Sequence, residues 1–132
     1  MTSQPHDTAT VYRGPDMDAR ITATHGAVVC SLAGALHADN EDHLRHVLAR
    51  SLARSSALLA VDTSAVDLFT ASALNVVLTA RGQAGRNGVP LVMVAPSRRV
   101  QRVLRISDAD LVLPVYPTHE RAVRHQRRSP AV

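Results

Sequence analysis

Thr70, Ala71 and Ser72 stand at a short polar break in the stretch "VDLFTASALNVVL", Val66 to Leu78. An apolar, strand-like run precedes the break and a helix-like pattern follows it. A hydroxyl at such a turn can do one of two things. It can cap the helix by accepting from a free backbone N–H. It can instead carry a phosphate, which adds about −1.5 to −2 charges beside the positive end of the helix dipole. Thr70 suits the cap, because Phe69 then falls at N′ and Leu74 at N4, the positions of a hydrophobic staple. Ser72, in the first turn, reads more plainly as a solvated or capping group than as a modification site. Ala71 has no oxygen to offer.

Other side chains carry chemistry with less support. His43 and His46 are three residues apart on a helical pattern, and His37 lies just before it. Three imidazoles can bind a metal ion. No carboxylate or thiol stands at a telling spacing, so the plainer expectation is a solvent-facing pair, an exposed turn residue at His37, and no metal site. Cys30 is the single cysteine and sits in a strand-like run, so an inert buried thiol is expected. Ser, His and Asp all occur, but no Gly-x-Ser-x-Gly elbow does. All fifteen basic side chains are arginine. The absence of lysine removes Schiff-base chemistry and a phosphate loop ending in Gly-Lys. No catalysis and no cofactor are expected.

Charge is uneven along the chain. Residues 1–96 carry a formal −1 and residues 97–132 a formal +5. Arg98, Arg102 and Arg105 fall on one helical stripe with Arg99 beside it, and Arg121, Arg124, Arg127 and Arg128 follow. This end reads as a solvated face, or as a basic surface for an acidic partner or nucleic acid. With only Phe69, Tyr12 and Tyr116, the usual aromatic stacking platform for nucleic acid is missing.

The elements that must position these groups follow from periodicity. Residues 1–16 read as a loose arm. Ala19–His25 and Ala27–Gly34 read as a hairpin joined at Gly26. Asp39–Ser55 reads as a helix with Asp39 as its N-cap and Leu44, Val47, Leu48 and Leu52 on one stripe. Ala57–Ser64 is a short buried strand, and a second helix runs from Ala71 to Arg86. Val89–Pro96 is a strand, and Ser97–Ser107 a helix capped by Ser97. Asp110–Pro117 is an edge strand, and Thr118–Arg128 a terminal helix. Strands alternating with helices predict a single α/β domain, with a mixed sheet of about five strands and about four helices. Its bounds are 17–125, with a basic tail over 126–132. The 132 residues, 45% hydrophobic, suit one core. No run is long enough to span a bilayer and no secretory signal is read, so a soluble cytoplasmic protein with no membrane partner is expected.

In this order of elements, three segments resemble the STAS domain, the sulfate transporter and anti-sigma factor antagonist family. "LAGALHADNEDHLRHVL" (32–48) matches its GELD-type turn and first helix. "LLAVDTSAVDLFTASALNVVL" (58–78) matches its segment ending in a DSSG-type turn. "GVPLVMVAPSRRVQRVLRISDADLVLPVYPTHERAV" (88–123) resembles its C-terminal half. In the antagonist branch a serine of that turn is phosphorylated by a partner kinase that is also an anti-sigma factor. The resemblance places Thr70 on the aspartate, Ala71 on the phosphoacceptor serine, Ser72 on the next Ser/Thr and Ala73 on the glycine. In the GELD turn Gly34 and Leu36 remain, Ala35 replaces the acid and His37 replaces the aspartate. The resemblance thus implies a non-catalytic interaction regulator whose partner is an anti-sigma factor or serine kinase-like protein. The usual serine switch is absent, with Thr70 and Ser72 as possible substitutes. The implied contact surface is Leu36, His37, Phe69, Thr70, Ala71, Ser72, Ala73 and Asn75. A scaffold module in another signalling complex and a basic nucleic-acid-binding module are the alternatives. Oligomeric state is open.

Overall fold

The computed structural model describes residues 9–24 and 27–128. Six strands form one sheet in sequence order: β1 (Ala9–Arg13), β2 (Met17–Thr24), β3 (Ala27–Leu36), β4 (Leu58–Phe69), β5 (Leu91–Val94) and β6 (Val115–Tyr116). β1–β2 and β2–β3 are antiparallel, and β3 to β6 run parallel. The helices α1 (Glu41–Arg54), α2 (Ala71–Arg86) and α3 (Arg98–Ile106) are the parallel crossovers, and α4 (His119–Arg128) ends the chain. Each crossover steps to the next strand in the same direction. Right-handed connections then place all three helices on one face. The core agrees: Leu44, Val77 and Val100 cluster with Leu59, Val61 and Met93. α4 crosses to the other face, where Ala122 packs with Leu58, Ala60, Val92 and Val94.

The expected arm over 1–16 is corrected in part. Ala9–Arg13 pairs with β2 along its whole length, from Ala9 opposite Thr22 to Arg13 opposite Asp18. The Gly14-Pro15 pair that suggested a loose segment is instead the turn into β2. Residues 1–8, the His25–Gly26 joint and residues 129–132 of the tail lie outside the described residues. The tail's first part, from residue 126, continues α4 to Arg128.

β4 runs five residues beyond the Ser64 limit expected from its apolar run. Between Ser31 and Ala33 of β3, and again between Gly34 and Ala35, β4 contributes one extra residue. Two bulges turn the period-two alternation into a period of three, and Val66 and Phe69 are buried while Ser64, Ala65, Asp67 and Leu68 are exposed. The second bulge brings Phe69 opposite Leu36 with both side chains in the core. Opposite these bulges, Gly34 has φ +98°, and a Cβ there would lie 2.2 Å from the Asp16 carbonyl oxygen. Only glycine lets the β1–β2 turn cross β3 so closely.

The C-terminal strand is also shorter than expected. Ala109–Leu111 is a 3-10 turn and only Val115–Tyr116 pairs with β5. Pro114 and Pro117, which flank it, confine the pairing.

Candidate protein-interaction site

α2 begins where the sequence places it. Thr70 is its N-cap, with its hydroxyl oxygen accepting from the Ala73 N–H at 3.2 Å. The same hydroxyl donates to the Leu36 carbonyl at 3.2 Å, and the Thr70 N–H donates to that carbonyl at 3.1 Å. The end of β3 and the start of α2 are therefore stitched together. Phe69 and Leu74, the proposed staple, share one buried cluster.

Ser72 is half-buried and donates its hydroxyl to Glu41 at the start of α1. Glu41 also accepts from Arg45 at 3.2 Å, and Arg45 reaches Asp42 at 2.7 Å. This bridge ties α1 to α2. The pairing of Glu41 with Ser72, 31 residues away, leaves no local signal in the sequence.

The Leu36–His37 turn is more ordered than an exposed loop. His37 is half-buried and caps a 3-10 turn, Ala38–Asn40, with Nδ1 accepting from the Asp39 N–H at 3.2 Å. An accepting Nδ1 puts the ring proton of neutral His37 on Nε2, which faces Asp16 Oδ2 at 3.1 Å. Asn40 is buried and holds the turn: its Oδ1 accepts from the His37 N–H at 3.0 Å, and its Nδ2 donates to Ala35 O at 2.8 Å and to Pro15 O at 3.3 Å. Asp39 was expected to cap α1. Its side chain is exposed; Asn40 stands at the N-cap of α1 without a side-chain bond to that helix, and the His37 and Asn40 side chains cap the 3-10 turn before it. The sequence carries an Asp-Asn pair, and both residues are good caps. Asn takes the buried position in the turn because the carboxamide, unlike a carboxylate, can donate to the two carbonyls that converge there.

Of the eight residues expected at the contact surface, Leu36, Phe69 and Ala73 are in the core, at 0%, 3% and 1% exposure. Their backbones shape the surface, but their side chains do not face out. Ala71 and Asn75 are exposed, and His37, Thr70 and Ser72 are half-buried. Leu68, 40% exposed, adds an aliphatic side chain just before the turn that the sequence reading did not name. Past Ser72, a groove of about 270 Å³ runs between α1 and α2, lined by Glu41, Arg45, Asn75, Val76, Thr79 and Gln83 among others.

The remaining sequence candidates do not join this site. His46 meets Tyr12 edge-on at 5.8 Å, and a Cβ on Gly14 would touch the His43 ring at 2.6 Å, so each imidazole packs against a different neighbour. No group of three His, Cys, Asp or Glu able to hold a metal ion occurs among the described residues. Cys30 is buried, and desolvation pushes its thiol up to about 11, against a weaker lowering by Ser51 and a further rise from Asp62. No helix among the described residues is long and apolar enough to cross a membrane.

Comparisons with known proteins agree with this architecture. No curated protein matches the chain. Among solved structures, an anti-sigma factor antagonist from Mycobacterium paratuberculosis aligns over 96% of this chain and 99% of its own, at 22% identity and a TM-score of 0.73. A structure from Thermotoga maritima described as a putative anti-sigma factor antagonist covers 81% of this chain and 92% of its own, at 18% identity and a TM-score of 0.70. The anti-sigma factor antagonist SpoIIAA in its unphosphorylated form covers 94% and 100%, at 15% identity and a TM-score of 0.67. At these identities the structures speak for the fold. The family model for the STAS domain matches residues 18–122, most of the chain, and on that match the chain belongs to the STAS domain family.

Proposed function

We propose that this STAS domain is a non-catalytic interaction regulator of the anti-sigma factor antagonist type, acting in the cytoplasm on an anti-sigma factor or serine kinase-like partner. The contact surface is the start of α2 with the neighbouring His37 turn. One observation supports it above the others: Ala71, on the position of the family's phosphoacceptor, is solvent-exposed at the first residue of α2. An exposed methyl, with the exposed Asn75 one helical turn on, gives a partner a small, neutral surface to close on.

The surface is unswitched. Ala71 has no hydroxyl, and the hydroxyls on either side are engaged, Thr70 with Leu36 and Ala73 and Ser72 with Glu41. A kinase would have to break the α2 cap or the α1–α2 bridge to use either one. Phosphate there would bring about −1.5 to −2 charges, and at Ser72 these would sit against the Glu41 carboxylate. The test is incubation with the partner kinase, recovered by affinity purification from the native cell, and ATP. Mass spectrometry should find no phosphate on Thr70 or Ser72; phosphate on either residue overturns the unswitched reading.

A further inference from the structure

A second surface lies on α3 and the sheet edge. Its side chains are separate from those at the start of α2. Arg98, Gln101, Arg102, Arg105 and Ile106 follow the i, i+3, i+4, i+7, i+8 spacing of one helical stripe and line a shallow depression of about 490 Å³. Beside it, a groove of about 550 Å³ separates α3 from β6, with Leu104, Arg105, Asp110, Val115 and Tyr116 on its walls. Large aliphatics are open along this stretch of chain: Ile106 is 74% exposed and Val115 41%, with Leu111 at 79% and Val112 at 50% in the connection between α3 and β6. These make up four of the six exposed large hydrophobics described in the chain. Apolar side chains left open beside a depression and a groove, Ile106 in the first and Val115 in the second, mark an interaction surface.

The charge around it is unspent. Arg98, Arg99, Arg102 and Arg105 are all exposed, and the arginine ion pairs among the described residues are those of Arg45. The sheet edge is also open. The carbonyls of Pro114 and Tyr116 accept from Met93 of β5 and from Ala95 just past its end, at 2.8 and 2.9 Å. By strand alternation the Val115 N–H and C=O then point away from the sheet.

We propose that this groove binds an extended acidic segment of a partner protein, with carboxylates facing Arg98, Arg102 and Arg105 and aliphatic side chains against Ile106 and Val115. Two other chemistries fit less well. An anionic bilayer that took up Leu111 would also press against Asp108, which is exposed just before the same turn and lines neither the depression nor the groove. A nucleic acid would use the arginines but gain nothing from aliphatics, which offer its bases no stacking platform.

The test titrates isotope-labelled protein with three probes: a short peptide alternating glutamate and leucine, a peptide alternating glutamate and serine, and mixed-sequence duplex DNA. Phosphatidylserine-containing vesicles form a fourth arm. The glutamate–leucine peptide should shift the amides of Arg105, Ile106 and Val115 and bind more tightly than the other probes. Replacing Arg102 and Arg105 together with serine should weaken it by about tenfold, two exposed charge contacts at the upper part of their usual range. Ile106→Ser should also weaken it, and Ala71→Glu should leave it unchanged, which separates this surface from the one on α2. Equal binding of the glutamate–serine peptide, tighter binding of DNA or vesicles, or shifts confined to other elements would each overturn the proposal.

Discussion

Replacing Asn40 with alanine should destabilise the domain far more than replacing Asp39, although the two residues are neighbours and both are good caps. The buried Asn40 carboxamide makes two short hydrogen bonds, from His37 N at 3.0 Å and to Ala35 O at 2.8 Å, and a longer one to Pro15 O at 3.3 Å. Alanine removes all three and leaves a donor and two acceptors facing one another in a part-buried turn. At about 1 kcal/mol for each bond lost, more where a group stays dry, the cost is about 3 kcal/mol. With a urea m-value of about 2 kcal/mol/M, the unfolding midpoint should fall by about 1.5 M at unchanged m. Asn40→Asp should cost a comparable amount, because an oxygen would replace the amide nitrogen that faces Ala35 O. Asp39→Ala, at an exposed side chain with no role in the turn, should stay within about 0.5 kcal/mol. Urea melts followed by circular dichroism measure all three variants. If Asp39→Ala costs as much as Asn40→Ala, or if Asn40→Ala is near neutral, the turn is not held as described.

Thr70→Ala should cost about 1 kcal/mol through loss of the α2 cap, with Thr70→Ser close to the parent; thermal unfolding should show a drop of a few degrees for the first variant only. Cys30 should resist thiol reagents at pH 8 while the protein is folded and react fully in denaturant, because burial keeps it a thiol up to about pH 11. The linkage sign follows from the raised folded pKa. The thiol's contribution to stability is complete below its ordinary 9.0 and is lost as pH rises towards about 11, so the urea midpoint should decline across that window. Ala71→Ser, which restores a hydroxyl at an exposed helix start, should make the protein a substrate for the partner kinase, detected as phosphate on that residue alone.

The helices were legible because each carries a strong local signal. Thr70 and Ser97 were read as N-caps and both accept from the third helical N–H, that of Ala73 and of Val100. The parallel order followed from strand–helix alternation and the handedness of crossovers. β1 was hidden by its short length and by Gly14-Pro15, since its partner strand lies across a turn that the local pattern marks as a break. The last third of β4 was hidden by its bulges, because a period of three matches neither a strand nor a helix template. At the site, Thr70 and Ala71 were readable as cap and surface. The inward turn of Leu36, Phe69 and Ala73 was not, since it depends on the register between β3 and β4 that the bulges set. The Glu41–Ser72 bridge joins residues on separate helices and leaves no trace in local spacing.

The docking role proposed for the α2 start can be tested by titrating the purified partner kinase with the parent protein and with Ala71→Glu. A carboxylate at the first helical residue lies beside the positive dipole end, so the variant should fold at least as well as the parent. The same charge pressed into a partner's apolar surface should weaken binding by tenfold or more, about 1.4 kcal/mol upward. Equal affinity for the two proteins, with both folded, would place the contact elsewhere on the domain.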